Sequence, residues 1–238
     1  MSKRVAINSA TCANYSKRIG NEVGWLEQIV QEGIKAFQSR IIASDPVSVF
    51  GVIELNEQAE RSAHRMEIVY LVNLFESFMH DFIGEKDGLN ESQMNQKRFW
   101  ETYLETERKI WDGYCTNHNE PINTSKSFMN IRYSVFVIQE RYKIKYPSYL
   151  SPLVLELGSL RNCLVHYDGE LLHQDKGGKY FKDTLSKTID FLKVDPNSNR
   201  ITEINRNGYL EKVTFDLATF IELCGGFIRR PIDHKNEK

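Results

Sequence analysis

Arg161 and His166 stand five positions apart, with Asn162 directly after the arginine, inside the apolar run Leu160-Arg161-Asn162-Cys163-Leu164-Val165-His166. These residue types suit phosphodiester chemistry. Arginine is a permanent cation whose planar fork of donors matches phosphate oxygens, and histidine takes or gives a proton near neutral pH. With 14 Arg and 6 His in 238 residues, a bare Arg-x4-His arises by chance about one time in three; requiring Asn after the Arg cuts this to about three in a hundred. A second copy, Arg229 to His234, encloses Pro231. Proline cannot sit in a helix interior, so that copy reads as accidental.

The composition, 41% hydrophobic and 26% charged, is that of an ordinary globular chain, and 238 residues suffice for one domain or one domain with a small appendage. Lys+Arg of 31 against Asp+Glu of 32 leaves a net charge of -1, so no global field draws the chain to nucleic acid and any such contact must be a local patch. Cys12, Cys115, Cys163 and Cys224 lie far apart with no Cys-x-x-Cys pair, which argues against a zinc site and a disulfide framework. No clustered Asp/Glu/His set suggests a metal, and no cofactor is expected. Without a charged-then-apolar leader or an apolar run of the ~18 residues that span a bilayer, the expectation is a cytoplasmic protein with no membrane partner.

Helical periodicity dominates the first three quarters. Leu26, Ile29, Val30, Ile34 and Phe37 recur at steps of three and four before Asp45-Pro46 punctuates, and residues 1–46 read as an N-terminal helical extension. From about Glu54 to Ile83 the stripe Ile68, Leu71, Val72, Phe75, Phe78, Met79, Phe82 is the clearest amphipathic face, with Gly84 expected to end it. Further helices are expected over Phe99 to Tyr114, Ser127 to Ile144, and Tyr149 to Tyr167, the last capped by Asp168-Gly169. Lys182 to Val194 reads as a weak helix or strand. Ile201 to Asn205 and Tyr209 to Phe215 alternate around Asn207-Gly208, a hairpin signal. Asp216 is then expected to cap a last helix through Phe220, Ile221, Leu223 and Phe227, leaving 233–238 as a tail.

A helical wheel at about 100° per residue places Leu150, Leu153, Leu157, Leu160 and Leu164 in one narrow arc, the core stripe. Arg161 lies on its edge, and Asn162 and His166 project from the other side, where Gly158 and Ser159 are too small to crowd an approaching group. That outer face suits a ligand or a second copy of itself. Cleaving RNA through its own 2′-hydroxyl calls for a base on that hydroxyl and an acid on the leaving oxygen. Across a two-fold axis, two copies of His166 would supply both, and two copies of Arg161 would stabilise charge building on phosphorus.

The segment Leu160 to His166 resembles the Arg-Asn-x3-His signature of HEPN domains, the higher eukaryotic and prokaryotic nucleotide-binding superfamily. Glu67 to Ile83, with Phe75-Glu76-Ser77-Phe78, resembles the early helix of that family, and the glycine after the motif, the Asn-Gly hairpin and the closing helix match the layout of some of its members. The resemblance covers about Glu54 to Arg230. It implies an all-α fold, an antiparallel helical bundle over 47–232 with a small β-hairpin near 201–215 inserted before the last helix. It also implies a homodimer and, as in many members, a metal-independent endoribonuclease leaving a 2′,3′-cyclic phosphate, acting as a toxin or antiphage-defence effector. Arg161 and His166 become the catalytic pair, with Asn162 and Glu76 in support, RNA as substrate and an antitoxin or regulatory protein as a further partner. Toxin-type members often carry tyrosine two places after the histidine; here that place holds Asp168, with tyrosine at 167.

Plainer readings stand beside these. Arg161 can serve only as the partner of Glu76 in a buried ion pair, and His166 only as a carbonyl-bonded residue at a helix end. His80 on the line of Asn73 and Glu76, and Trp100, Trp111 and Tyr103 at helical spacing, read as packing. Lys176, Lys179, Lys182 and Lys187 read as a solvated face, and Cys163 as a small apolar residue. A non-catalytic HEPN module that binds nucleotide, RNA or a protein is the alternative function.

Overall fold

The computed structural model describes residues 9–44, 49–96, 98–118, 126–144, 151–174 and 178–226. The chain is mainly helical, with one small two-stranded antiparallel sheet. Two long helices, α1 (Ala10–Ser44) and α2 (Val49–Asp87), are followed by α3 (Glu91–Met94), α4 (Phe99–Tyr103), α5 (Glu105–Asn117), α6 (Ile131–Tyr142) and α7 (Pro152–His166). The chain continues through α8 (Phe181–Thr184), β1 (Leu192–Val194), β2 (Ile201–Ile204) and α9 (Glu211–Cys224). No described helix is long and apolar enough to cross a membrane.

The expected stripe on α2 forms the centre of the core: Ile68, Leu71, Val72, Phe75, Phe78, Met79 and Phe82 are all fully buried. Phe78 packs against Phe75, Phe82, Phe220 and Tyr15, with ring centroids 5.4 to 6.5 Å apart. Tyr15 belongs to α1, and with Cys12 and Ile19 at steps of three and four it enters the same core as the stripe. Cys12, Tyr15 and Ile19, within the expected extension 1–46, thus share one core with α2. Tyr15 Oη donates to Asp81 and Ser16 Oγ to Glu222, tying α1 to α2 and α9 across a polar edge that carries no apolar signal.

Gly84 does not end α2. A Cβ there would lie 2.6 Å from Met94 Sδ, so the glycine admits the side chain of α3 against the helix. The stop comes at Gly88 (φ 67), where Leu89 N donates to Gly84 O and closes a left-handed cap.

The hairpin lies elsewhere than its sequence signal. β2 pairs with β1, Leu192 opposite Ile204 and Lys193 opposite Glu203, and the turn is Asp195 to Asn199. Residues 206–210 form a single π-helical turn that runs into α9. Over so short a window both periods fit, and the helical one wins because it buries Tyr209, Leu210, Val213, Leu217, Phe220 and Ile221 together, leaving only Phe215 outside. Gly208 serves close contact rather than a hairpin: its N–H donates to Asn205 Oδ1, and a Cβ would meet the Phe191 ring at 3.2 Å. Asp216 is consequently mid-helix, half-buried, with its carboxyl raised by burial, and does not cap anything. Lys182 to Val194 divides into α8, a 3-10 turn at Ile189–Phe191 and β1. Asp45-Pro46, Leu150, Phe227 and the tail 233–238 lie outside the described residues.

Near the end of α6, Arg141 donates from Nε to Asp87 Oδ2 (2.8 Å) and from Nη1 to Glu107 Oε1 (2.7 Å), and its guanidinium covers the Tyr103 ring at 4.5 Å. Both carboxylates are largely enclosed. Arg141→Ala strands them without their cation, and should cost about 2 to 3 kcal/mol, somewhat less than a fully buried pair; the shift of the urea midpoint at constant slope measures it.

Candidate functional site

α7 begins where Ser151 Oγ accepts from Leu153 N and Pro152 occupies the first turn. Leu153, Leu157, Leu160 and Leu164 are buried, as the wheel requires, and this fixes the rotation of the helix. Gly158 departs from the wheel: it is buried, and a Cβ would sit 2.6 Å from the Met129 carbonyl. The small residue takes in backbone from the turn before α6 instead of leaving an open face. Ser159 remains half-exposed, and His166, the last helical residue, is exposed.

Arg161 is half-buried and its long side chain bridges the arc that separates it from the outer face. Nη1 donates to Asn162 Oδ1 at 3.0 Å and lies 3.2 Å from His166 Nε2. For that second contact the imidazole must present the Nε2 lone pair, which places its proton on Nδ1. Three of the four expected site residues thus meet within one chain. Arg161 Nε is buried and has no hydrogen-bond partner among the described residues.

Glu76, on α2, is half-buried and makes no direct ion pair with Arg161. Burial raises its carboxyl above the ordinary range, and the Arg161 charge partly offsets this through space. The plainer reading of Arg161 as the buried ion-pair partner of Glu76 therefore has no direct contact behind it. With Arg65 of α2 paired to Asp168 at the other end of the contact, α2 and α7 run antiparallel. Between them and α1 lies a groove of about 340 Å³ whose walls include Met66, Val69, Leu164 and Val165, with Asn73 and Arg65 as polar members.

The end of α7 carries residues that the sequence did not single out as site components. Cys163 O accepts from Tyr167 N and Gly169 N, and the chain turns through Asp168 (φ 51) and Gly169 (φ 77). The left-handed turn thus begins on aspartate rather than glycine; Gly169 is needed because a Cβ would crowd Ile201 at 3.2 Å. Asp168 accepts from Arg65 on one oxygen (2.7 Å) and from Arg200 on the other (2.8 Å). Arg65 is 103 residues from Asp168 in sequence, so only the fold reveals the pairing.

The remaining candidates pack or face solvent. His80 sits edge-on between Trp100 (4.8 Å) and Phe128 (5.0 Å), and burial lowers its pKa. Trp111 is buried and stacks on Tyr114, while Trp100 and Tyr103 pack against the core. Lys179, Lys182 and Lys187 are exposed; Lys176 and the Arg229 to His234 copy lie outside the described residues. All four cysteines are buried, and burial pushes the Cys163 thiol up to about 12. Among the described residues no group of three or more His, Cys, Asp or Glu is placed to hold a metal ion.

The hydrogen bond from Arg65, helped by Arg200, holds the Asp168 carboxyl below its ordinary range. A depressed folded value contributes stability above the unfolded pKa of about 3.9 and loses it as pH falls through the folded one. Because these pairs are open to water, urea midpoints of the parent and Asp168→Asn should differ only slightly at neutral pH, and that small gap should close by about pH 2; a gap that persists in acid means the difference is not ionic. Comparison of the chain with models of known protein families, with curated proteins and with solved structures gives no match.

Proposed function

We propose that this chain is an endoribonuclease of HEPN type that needs no metal and cuts RNA by attack of its own 2′-hydroxyl, working as a homodimer in a toxin or antiphage-defence system. The observation that carries the reading is the contact of Arg161 Nη1 with both Asn162 Oδ1 and His166 Nε2 at the exposed end of α7. A guanidinium beside an imidazole lone pair places a phosphate-binding cation next to a proton acceptor.

In the proposed reaction Arg161 binds the scissile phosphate, and Asn162 orients the guanidinium. His166 Nε2 takes the proton from the 2′-hydroxyl, whose oxygen attacks phosphorus. The 5′-oxygen leaves with a proton from His166 of a second copy, giving a 2′,3′-cyclic phosphate and a 5′-hydroxyl. The arginines stabilise charge as it grows on the phosphate oxygens, a role for donors fixed in advance. Glu76 acts by its field on Arg161 rather than by direct contact. Resemblance of the Leu160 to His166 segment to the HEPN signature, the antiparallel α2 and α7, and the hairpin before the last helix all support this reading. The exposed Val165 and Met66 beside the motif supply apolar surface that a second copy could cover.

Labelled RNA incubated with the protein in excess EDTA should be cut, with a cyclic phosphate end. His166→Ala and Arg161→Ala should each slow cleavage by about 100-fold or more. Intact RNA with retained binding would return the site to a non-catalytic binding module, and undiminished cleavage by both variants would remove the site assignment. Toxicity on expression, relieved by the same substitutions, gives the cellular counterpart.

A further inference from the structure

His166 is the last residue of α7, and the last turn of a helix holds its side chains only as firmly as the chain beyond it is held. Two residues later comes a left-handed aspartate, a conformation that L side chains avoid without local support. Support comes from two directions. Arg65 Nη1 donates to Asp168 Oδ1 and its Nη2 to the Ile201 carbonyl (3.2 Å), while Arg200 Nη1 donates to Asp168 Oδ2 and its Nη2 lies 3.8 Å from Glu170. Backbone bonds run alongside: Ile201 N to Gly169 O and Leu171 N to Asn199 O, both 3.0 Å.

We infer that Arg65 and Asp168 form an ionic clamp, completed by Arg200, that positions His166 by joining the end of α7 to α2 and to β2. Neither residue has a hydrogen bond to Arg161, Asn162 or His166, so both are positioning residues rather than catalytic ones. The side chains of Arg65, Asp168 and Arg200 are 33%, 62% and 47% exposed, and ion pairs so open to water contribute little to global stability. Their effect is therefore local. The clamp sets the direction in which the imidazole leaves the helix, and a reacting group displaced by about 1 Å loses up to about 100-fold in rate. The inference builds on the ribonuclease reading of the same site and assigns a role to the hairpin insertion, which contributes Arg200 and the Ile201 carbonyl to the helix end.

The test compares the parent with Arg65→Met, Arg65→Lys, Asp168→Asn and the double variant Arg65→Met/Asp168→Asn. Three measurements are made: RNA cleavage in EDTA, the thermal midpoint, and nuclear magnetic resonance of the imidazoles in protein carrying nitrogen-15 histidine. Each loss-of-charge single variant should lower kcat by about 10-fold with KM and the midpoint nearly unchanged, and Arg65→Lys should recover part of the loss. The double variant should be no slower than the slower single one, since both break the same contact. His166 signals should move while those of His118, just after α5, stay in place. Unchanged kcat and unchanged His166 signals in Arg65→Met and Asp168→Asn would overturn the clamp, as would losses that multiply in the double variant or that follow the midpoint. If the parent cuts no RNA, the ribonuclease reading falls and the His166 signals alone decide the clamp.

Discussion

Burial of one face of α7 against α2 and α6 is the constraint on which the rest of the site depends. Leu153, Leu157, Leu160 and Leu164 are each at most 5% exposed, and burying side chains of this size stabilises by roughly 1.5 to 3 kcal/mol apiece, as an upper estimate. Rotation of the helix by one residue would forfeit most of that. Depth is fixed as well as rotation, because the Met129 carbonyl occupies the space where a side chain at 158 would stand. A helix held in both senses can present a polar group at its margin with little freedom to drift.

Two arginines in this chain are built into opposite settings. Arg141 is saturated by two carboxylates and an aromatic face, so its charge is fully answered within the protein. Arg161 meets an amide oxygen and an imidazole nitrogen, and feels Glu76 only from a distance. The first arrangement cements α6 to α2 and α5. The second gives the guanidinium no hydrogen-bonded carboxylate among the described residues.

What the sequence made legible follows periodicity and local chemistry. The α2 stripe, the leucine face of α7 and the grouping of Arg161, Asn162 and His166 were readable because each depends on residues within a few turns. Three features were not. The first turns of α1 enter the core through Cys12, Tyr15 and Ile19 alone, too short a run to stand out, and side-chain hydrogen bonds to Asp81 and Glu222, which carry no periodicity, complete their hold. Tyr209 to Phe215 satisfies two periods at once, and only the burial of its neighbours on α9 chooses between them. Gly84, Gly158 and Gly208 are alike in sequence to turn glycines, yet each marks a place where another segment comes within reach of the backbone. Arg65 and Asp168 belong to the same class, since nothing near either residue announces the other.

The cis contact between Arg161 and His166 also bears on proton inventory. A guanidinium can only donate, so this contact is made only while Nε2 presents its lone pair. If two identical chains share the chemistry, one imidazole must begin each turnover as a proton acceptor and the other as a donor. The working assembly would then carry one odd proton, equivalent in sequence yet unequal in charge at every instant, and the contact made in one copy would have to open in the other. Symmetry of the fold would hold only on average over time.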